Sequence, residues 1–452
     1  MENLENKIVH FIGIGGISMS GLAIYMHENG YFVQGSDKCY SKKLQEIQNM
    51  GIKIFVGHDY HNVENAHFCV YTSAIDDNNP ELLYARKNCT LLERSELLGK
   101  ICSSFKNTIA VSGTHGKTTT TAMIAQSLIA ANVNPTIHIG GNFAPIGGNF
   151  RVGSKKYMVT EACEYRRSFL HIRPDYLIIN NVELDHLDYY KNLEEIEQAF
   201  LTLSNQTKKN IIINGDIDFF EKLNTAPYHS ILPKCITFGQ KPHCRYRMVN
   251  LRSTDGKYIF DIEHNNCYLT TIKMNLSGIY NAYNALACVA ICNTISIPVQ
   301  TIKNTLEAFC GVERRLEIIK KTENLTIIKD YAHHPTEIKN VIHNIKAHNY
   351  EKLVVVFQPH TYTRTLGLFN EFLSAFDECD AVILVPTYAA REKPIIGGQS
   401  EDLFQALKTR KQNVSFAKDF KTARERVKNY DSKNTCILLL GAGDIENMYD
   451  QL

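Results

Sequence analysis

The sequence predicts an α/β protein built from three successive blocks, and three observations carry that expectation. Short apolar runs alternate with helix-like stretches along most of the chain, the pattern of mostly parallel sheets flanked by helices. Two strand-to-helix junctions hold glycine-rich turns, at residues 13–21 and 113–116. The 452 residues are too many for one core, so two to four domains are expected. The changes of pattern place three domains at 1–105, 106–312 and 313–452.

In the first block, the apolar run 7–12 reads as a strand. It enters Gly13-Ile14-Gly15-Gly16-Ile17-Ser18-Met19-Ser20-Gly21, and a helix pattern continues to Met26. A second strand, 31–34, ends in Gly35, Ser36 and Asp37. This is a Rossmann-like βαβ unit with an acidic residue closing its second strand. Ser18 stands where the dinucleotide fingerprint has its third glycine. The turn therefore suits close approach to a diphosphate without specifying NAD. A structural turn whose glycines serve helix packing is the alternative. A further strand, 67–71, leads to Thr72 and Ser73, and the helix-rich stretch 80–105 closes the block.

The second block opens on the most informative stretch of the chain. The apolar run Thr108-Ile109-Ala110-Val111 precedes Ser112-Gly113-Thr114-His115-Gly116-Lys117-Thr118-Thr119-Thr120, and a helix pattern follows. A strand, a glycine-bearing turn and a helix aim backbone amides at an anion, with the helix dipole behind them. Lys117 can reach the β/γ phosphates of a nucleotide, and the Thr118 hydroxyl can ligate Mg²⁺. Val111 replaces the first glycine of the usual phosphate-loop pattern. Strands at 157–160, 176–180 and 211–213 predict a P-loop ATPase-type domain with a mostly parallel sheet. The stretch 246–271 reads as antiparallel hairpins, turning at 254–257 and 264–266. Glu161 and His186 follow strand ends of this block. Beside the phosphate loop they could hold Mg²⁺, although Mg²⁺ prefers oxygen ligands and a strand-end histidine is also ordinary loop chemistry.

The third block is a second Rossmann-like α/β unit, with strands at 325–329, 353–357, 381–385 and 436–440. Asp330-Tyr331-Ala332-His333-His334-Pro335-Thr336-Glu337 follows the first of these. Gln358-Pro359-His360-Thr361-Tyr362-Thr363-Arg364 follows the second. Ligands of open α/β sheets bind at these carboxyl ends. Arg364 suits a carboxylate through its planar fork. No third ligand at helical spacing makes His333-His334 a metal pair.

Composition excludes several classes. A net charge of +2 gives no electrostatic footprint for nucleic acid or an anionic membrane. No apolar run spans a bilayer, and residues 1–7 show no secretory signal, so a cytoplasmic protein is expected. The thirteen cysteines are odd in number, scattered and without a Cys-x-x-Cys pair, as expected for reduced thiols.

Taken in order, residues 13–21, 113–118, 161–164, 181–186, 276–285, 311–315, 330–337 and 358–364 resemble the Mur ligases, the ATP-dependent amide-forming enzymes of peptidoglycan synthesis. The resemblance covers nearly the whole chain. It implies ATP and Mg²⁺ as cofactors, and UDP-N-acetylmuramate and L-alanine as substrates. It assigns the UDP part to Gly13, Gly15, Gly16, Ser18, Met19, Ser20, Ser36, Asp37 and Ser73. It assigns ATP to Gly113, Thr114, His115, Gly116, Lys117, Thr118 and Thr119, with Asn281 and Asn284 at the adenine and Arg314, Arg315 and Asp330 towards the phosphates. Asn281 and Asn284 also read as helix-start residues. His333, His360 and Arg364 fall to the amino acid, and the C-terminal domain is expected to close over both substrates.

By the same resemblance, Lys117, Glu161 and His186 are catalytic, with Thr118 and Glu161 on one metal and His186 on a second. Three departures stand out: Cys163 where many relatives carry Asp, Thr361 where a second arginine is common, and Lys329 before Asp330 where a second Asp is frequent. No lysine lies between Asn192 and Thr207, where sibling ligases carry a carbamoylated one, which agrees with addition of L-alanine. Two alternatives remain: attachment of a tripeptide to the same UDP-sugar, on which residues 391–393 and Arg364 bear, and a non-enzymatic dinucleotide-binding protein.

Overall fold

The computed structural model describes residues 7–223, 231–254, 256–390, 392–430 and 433–449. Three expectations fall on residues outside these: the N-terminal targeting segment, the turn residue Asp255, and Arg391.

The first unit runs β1 (Ile8–Ile12), α1 (Ile17–Glu28), β2 (Phe32–Asp37), α2 (Lys42–Asn49), β3 (Lys53–Val56), β4 (Phe68–Tyr71), α3 (Pro80–Asn88), β5 (Thr90–Glu93) and α4 (Arg94–Ser103). Its sheet is parallel throughout, in the order β3-β2-β1-β4-β5. Asn79 caps α3 ahead of Pro80, and Glu93 and Glu96 form a capping box on α4. The stretch 80–105 was expected to be helical. Four residues of it, Thr90–Glu93, instead pair with β4, because the cap at Glu93 ends one element and starts the next.

The central unit runs β6 (Asn107–Ser112), α5 (Lys117–Ala130), β7 (Pro135–Phe143), β8 (Gly148–Arg151), β9 (Ser154–Glu161), β10 (Tyr176–Ile179), α6 (Leu193–Gln206), β11 (Asn210–Asn214), α7 (Asp218–Leu223), β12 (Cys235–Gly239), β13 (Tyr246–Thr254), β14 (Lys257–His264), β15 (Cys267–Ser277), α8 (Ile279–Thr294) and α9 (Val299–Glu307). Ten strands form one sheet, β15-β14-β13-β12-β11-β10-β6-β9-β7-β8. The segment β12-β11-β10-β6-β9-β7 is parallel, and β13-β14-β15 is the expected antiparallel meander. Both β6 and β10 are central, so their carboxyl ends lie side by side. One face of the sheet packs on α5, α8 and α9 through Met123, Leu128, Leu286 and Leu306. The other face belongs to a cluster that continues into the first unit, joining Leu22, Tyr25 and Ile101 to Phe150, Phe169 and Phe200.

The third unit runs β16 (Glu317–Lys321), β17 (Leu325–Asp330), α10 (Pro335–Lys346), β18 (Lys352–Phe357), α11 (Tyr362–Gly367), α12 (Phe369–Ala375), β19 (Ala381–Leu384), α13 (Ser400–Arg410), β20 (Val414–Phe416), α14 (Phe420–Lys428) and β21 (Thr435–Leu440). Its sheet order is β16-β17-β21-β18-β19-β20, parallel except at β16. Both edge strands, charged β16 and three-residue β20, lack the apolar run that marks the four inner ones. All thirteen cysteines are free. Among the described residues no helix is long and apolar enough to cross a membrane.

The junction of the first two units is tight. A Cβ on Gly99 of α4 would lie 2.2 Å from the backbone oxygen of His171. Backbone cannot yield as a flexible side chain can. Gly99→Ala should therefore cost about 1–3 kcal/mol, read as a lower thermal-unfolding midpoint. An unchanged midpoint would mean that the junction is looser than the structure shows.

Candidate active site

Strand β6 delivers its chain to a turn that only glycine permits. Gly113 has φ +132° and Gly116 has φ +79°. A Cβ on Gly116 would stand 2.5 Å from Asn284 Oδ1, and one on Gly113 would stand 3.1 Å from the Asn181 backbone nitrogen. The loop after β10 braces the turn from behind. Asn181 Oδ1 accepts from the His115 amide at 2.8 Å, and its Nδ2 donates to the His115 oxygen at 3.2 Å. Thr114 accepts from the Glu183 amide at 2.8 Å. α5 opens at Lys117, so the first amides of the helix face outward without intrahelical acceptors. Thr118 and Thr119 follow in its buried first turn.

Asn281 and Asn284 lie beneath this turn, in α8, and their side chains are engaged inside the fold. Asn281 donates to the Ser277 oxygen at 2.7 Å. Asn284 Oδ1 accepts from Thr120 at 3.1 Å, and its Nδ2 donates to Asn281 at 3.3 Å. Both are nearly fully buried. These bonds brace the phosphate-loop helix from below.

Lys117 folds back over its own turn. Its ammonium donates to the Gly113 oxygen at 2.6 Å and the Thr114 oxygen at 3.0 Å, and pairs with both oxygens of Glu164 at 3.1 and 3.0 Å. Burial opposes the charge, but the Glu164 carboxylate outweighs it and raises the lysine to about 12. Glu164 is itself buried. That would raise its carboxyl, yet Lys117 and His186 hold it below the ordinary range. His186 Nε2 lies 3.4 Å from Glu164 Oε1 and reaches it through a left-handed backbone, φ +55°. Glu164 was passed over in the sequence in favour of Glu161, three residues earlier at the strand end.

The oxygen donors Thr118 and Glu161 fit a hard divalent ion. They flank the glycine pair that ends the straight part of β7. The Gly140 amide donates to Glu161 Oε1 at 2.5 Å, and a Cβ on Gly140 would stand 2.9 Å from Glu161 Oε2. One on Gly141 would stand 3.2 Å from Thr118 Cγ2. The absent side chains let Glu161 and Thr118 lie close against the β7 backbone, and a carboxylate with a hydroxyl is the donor chemistry that Mg²⁺ takes.

The third unit faces this turn across a seam of charged and imidazole groups. His115 Nδ1 lies 3.0 Å from Glu337 Oε1, and its Nε2 lies 3.4 Å from Glu183 Oε2. Burial alone would lower this histidine, but the Glu337 and Glu183 carboxylates raise it to about 10. His334 Nε2 reaches the Leu184 oxygen at 3.1 Å. Arg364 Nε and Nη2 both bond Asp185 Oδ1, at 3.0 and 2.9 Å, and both side chains are buried. Burial opposes the Asp185 charge, and Arg364 still holds it well below the carboxylate range. The Arg364 fork is oriented by this pair. Asp185, 179 residues away in sequence, already pairs with it.

His333 and His360 complete the seam, their rings 5.6 Å apart. Burial lowers His333 to about 3 and His360 to about 4, and Arg364 adds to the lowering at both. Both are neutral at physiological pH. His360 Nδ1 lies 3.1 Å from Arg364 Nη1, and His333 Nδ1 lies 2.9 Å from the Tyr331 oxygen. Thr361, at φ +66°, starts α11 rather than reaching the seam as a charge.

Asp330, Arg314 and Arg315, expected at the nucleotide, lie at the start of the third unit. The Asp330 oxygens accept from the Leu316 and Ala332 amides at 2.7 and 2.8 Å, and burial raises its carboxyl to about 6. It fixes the connection between the second and third units. Arg314 pairs with Glu446 at 3.1 Å and donates to the Gly441 and Gly443 oxygens. Arg315 lies over the Tyr331 ring at 4.9 Å.

In the first unit, Gly13 (φ +80°) turns the chain so that its amide meets the Ser36 oxygen at 2.8 Å. Asp37 Oδ2 accepts from the Gly15 amide at 2.9 Å. Gly16 leads directly into α1. Ser18 bonds His138 of β7 at 2.9 Å and Arg94 at 3.2 Å, so it ties the first unit to the second. The side chains of three residues expected at the UDP part are buried. Met19 is in the core, the buried Ser20 hydroxyl donates to the Ile17 oxygen at 2.9 Å, and the Ser36 hydroxyl donates to the Glu81 carboxylate. Helix and strand periodicity put these side chains on the buried faces of α1 and β2. Ser73 is half-buried in the turn after β4.

The seam charge gives a pH dependence. His115 is raised above the ordinary histidine value of about 6.5. Its contribution is therefore complete below that value and lost as pH rises through about 10. Thermal stability should fall between pH 7 and 10, and Glu337→Gln should flatten that fall. Equal slopes in both proteins would remove His115 from the seam.

Comparison with known proteins agrees with this geometry. The chain matches the Mur ligase family catalytic domain over residues 8–106, the Mur ligase middle domain over 111–292, and the Mur ligase glutamate ligase domain over 314–443. It is 40% identical to a UDP-N-acetylmuramate–L-alanine ligase of Acetivibrio thermocellus, covering 97% of this chain and 94% of that protein. It is 38% identical to the ligase of the same name from Caldicellulosiruptor saccharolyticus, covering 96% and 95%. The crystal structure of the UDP-N-acetylmuramate-alanine ligase of Thermotoga maritima superposes with a TM-score of 0.82 at 30% identity, covering 97% and 96%. A phosphate loop facing a histidine- and arginine-bearing third unit across one seam, together with similarity along the full length, establishes that this chain belongs to the Mur ligase family.

Proposed function

We propose that the chain joins L-alanine to the lactyl carboxylate of UDP-N-acetylmuramate with consumption of ATP, in peptidoglycan precursor synthesis. The observation that carries this reading is the seam itself. Lys117 is linked through Glu164 and His186 to Asp185, and Asp185 pairs with Arg364 beside His360 and His333, so a nucleotide and an amino acid would meet there.

In the first step a carboxylate oxygen attacks the γ-phosphorus of ATP, and the bond to the β,γ-bridging oxygen breaks, leaving an acyl phosphate and ADP. The amine of L-alanine then attacks the acyl carbon, loses a proton, and expels phosphate as the amide forms. Two anions meet in the first step, so placement of cations dominates the barrier. Lys117 would exchange the Gly113 and Thr114 oxygens for phosphate oxygens while Glu164 keeps its ammonium in place. Thr118 and Glu161 would hold Mg²⁺, which neutralises phosphate charge when bound. His186 would carry a second ion in the family's manner. Both Arg314 and Arg315 lie over the Tyr331 ring, and Arg314 is paired with Glu446, so Arg315 would be the one to turn to the nucleotide. The neutral His333 and His360 would receive the ammonium side of L-alanine without adding charge. Arg364, oriented by Asp185, would receive its carboxylate. Gly13, Gly15, Gly16 and Asp37 would form the UDP-sugar turn.

The deciding experiment is phosphate release from ATP and Mg²⁺ with UDP-N-acetylmuramate. Release is expected with L-alanine. Release only with a diaminopimelate-containing tripeptide would move the reaction to the sibling pathway. Lys117→Ala should lower turnover by about 10²–10³-fold, as for loss of one preorganised donor, with the protein still folded by thermal melt. Undiminished release would overturn the lysine assignment. Arg364→Lys keeps the charge and loses the fork. It should raise KM for L-alanine about ten- to a hundredfold, the worth of one charge-assisted hydrogen bond, and KM for ATP far less. Equal shifts would argue for a purely structural pair with Asp185.

A further inference from the structure

Beside the oxygen donors Thr118 and Glu161 lies a second cluster of different chemistry. The Cys163 sulfur, a Glu164 carboxylate oxygen and a His186 ring nitrogen all lie within 4.8 Å of one another. The cluster is held from three sides. Glu164 is fully buried, and its backbone oxygen accepts from the Tyr190 hydroxyl at 2.6 Å. The left-handed backbone of His186 presents its ring, which packs 4.9 Å from the ring of Tyr165. Cys163 is exposed, so the cluster opens to solvent on its sulfur side. A neighbouring group at the seam, His115, Glu183 and His334, has comparable spacing. There both His334 nitrogens are bonded, to the Leu184 oxygen and the Thr336 amide, and no sulfur is present.

One sulfur, one imidazole nitrogen and one carboxylate oxygen, with a fourth position open to water, make the donor set of an open zinc site. A thiolate selects zinc-like ions over Mg²⁺, which takes oxygen. Glu164 is also the counter-ion that orients Lys117. A dication bound to Glu164 would compete with the ammonium for the same carboxylate, and would take His186 from the second ion that the ligase reading assigns to it.

We propose that Cys163, Glu164 and His186 form a binding site for a thiophilic divalent cation of the Zn²⁺ class, and that its occupancy withdraws Glu164 from Lys117 and stops turnover. On binding, the Cys163 S–H bond breaks, its proton passes to solvent and a sulfur–metal bond forms, with no change of oxidation state. The binding claim stands on the cluster alone, while the inhibitory claim rests on the ligase reading above.

Co²⁺ serves as the probe on the full chain. Titration should give a sulfur-to-cobalt charge-transfer absorption that saturates at one ion per chain and disappears when Zn²⁺ is added. Cys163→Ser and His186→Ala should each abolish it. Cys39→Ala and Cys310→Ala, which remove other exposed thiols, should retain it. No sulfur band in the unaltered protein, or a band that survives Cys163→Ser, would overturn the site. In the phosphate-release assay at saturating Mg²⁺, the Zn²⁺ concentration for half-inhibition should rise at least about tenfold in Cys163→Ser, equivalent to about 1.4 kcal/mol of lost affinity. An unchanged half-inhibition would overturn the regulatory claim while leaving the spectroscopic one standing. Absence of any phosphate release would reject the ligase reading and leave the cobalt titration as the test of the site.

Discussion

The carboxylate of Glu164 is the constraint on which the centre of this molecule depends. It is buried, and it draws Lys117 from the start of α5 and His186 from the loop after β10 onto one carboxylate. Removing one member of a buried ion pair typically costs about 3–5 kcal/mol, because the other charge is left in a poor solvent. Lys117 is thus anchored by an acid from the end of β9, and His186 is held by the same acid from the loop after β10. The carboxyl ends of β6, β9 and β10 become one electrostatic unit through this single side chain.

The third unit adds a second layer to that unit. Its contributions are two ion pairs of opposite polarity: Glu337 brings an anion to His115, and Arg364 brings a cation to Asp185. The domains are therefore already engaged, and the expected closure over substrates is a rearrangement of an existing seam rather than a first encounter. Substrates entering between Lys117 and His360 must work within charges that already balance.

Much of this was legible in the sequence, and the reason differs from residue to residue. The turn at 113–117 was readable because backbone geometry demands glycine at fixed offsets from the strand and the lysine. The inner strands were readable as apolar runs. Strand β7 was not, since Gly140 and Gly141 interrupt its pattern to make room for Glu161 and Thr118. The edge strands β16 and β20 lack the burial that writes an apolar signal. Pairing was hardest to read. Arg364 and Asp185 were both visible as polar strand-end residues, but only the fold shows that they neutralise each other. Asn284 illustrates the same limit, because an amide that supports a loop and one that reads a base are identical as letters.

Asp37 has a consequence of its own. Its carboxylate fills the amide cradle at Gly15, so an internal anion occupies the position where a Rossmann-like turn would greet a diphosphate. Where this turn takes a nucleotide-sugar, as proposed above, such a resident anion would act as a selectivity filter. A small free anion meets repulsion and gains only the amides. A large nucleotide-sugar can draw on contacts of its base and sugars to displace or reorient the carboxylate. For an enzyme whose cell also contains inorganic phosphate and pyrophosphate, this favours discrimination by size of ligand rather than by charge.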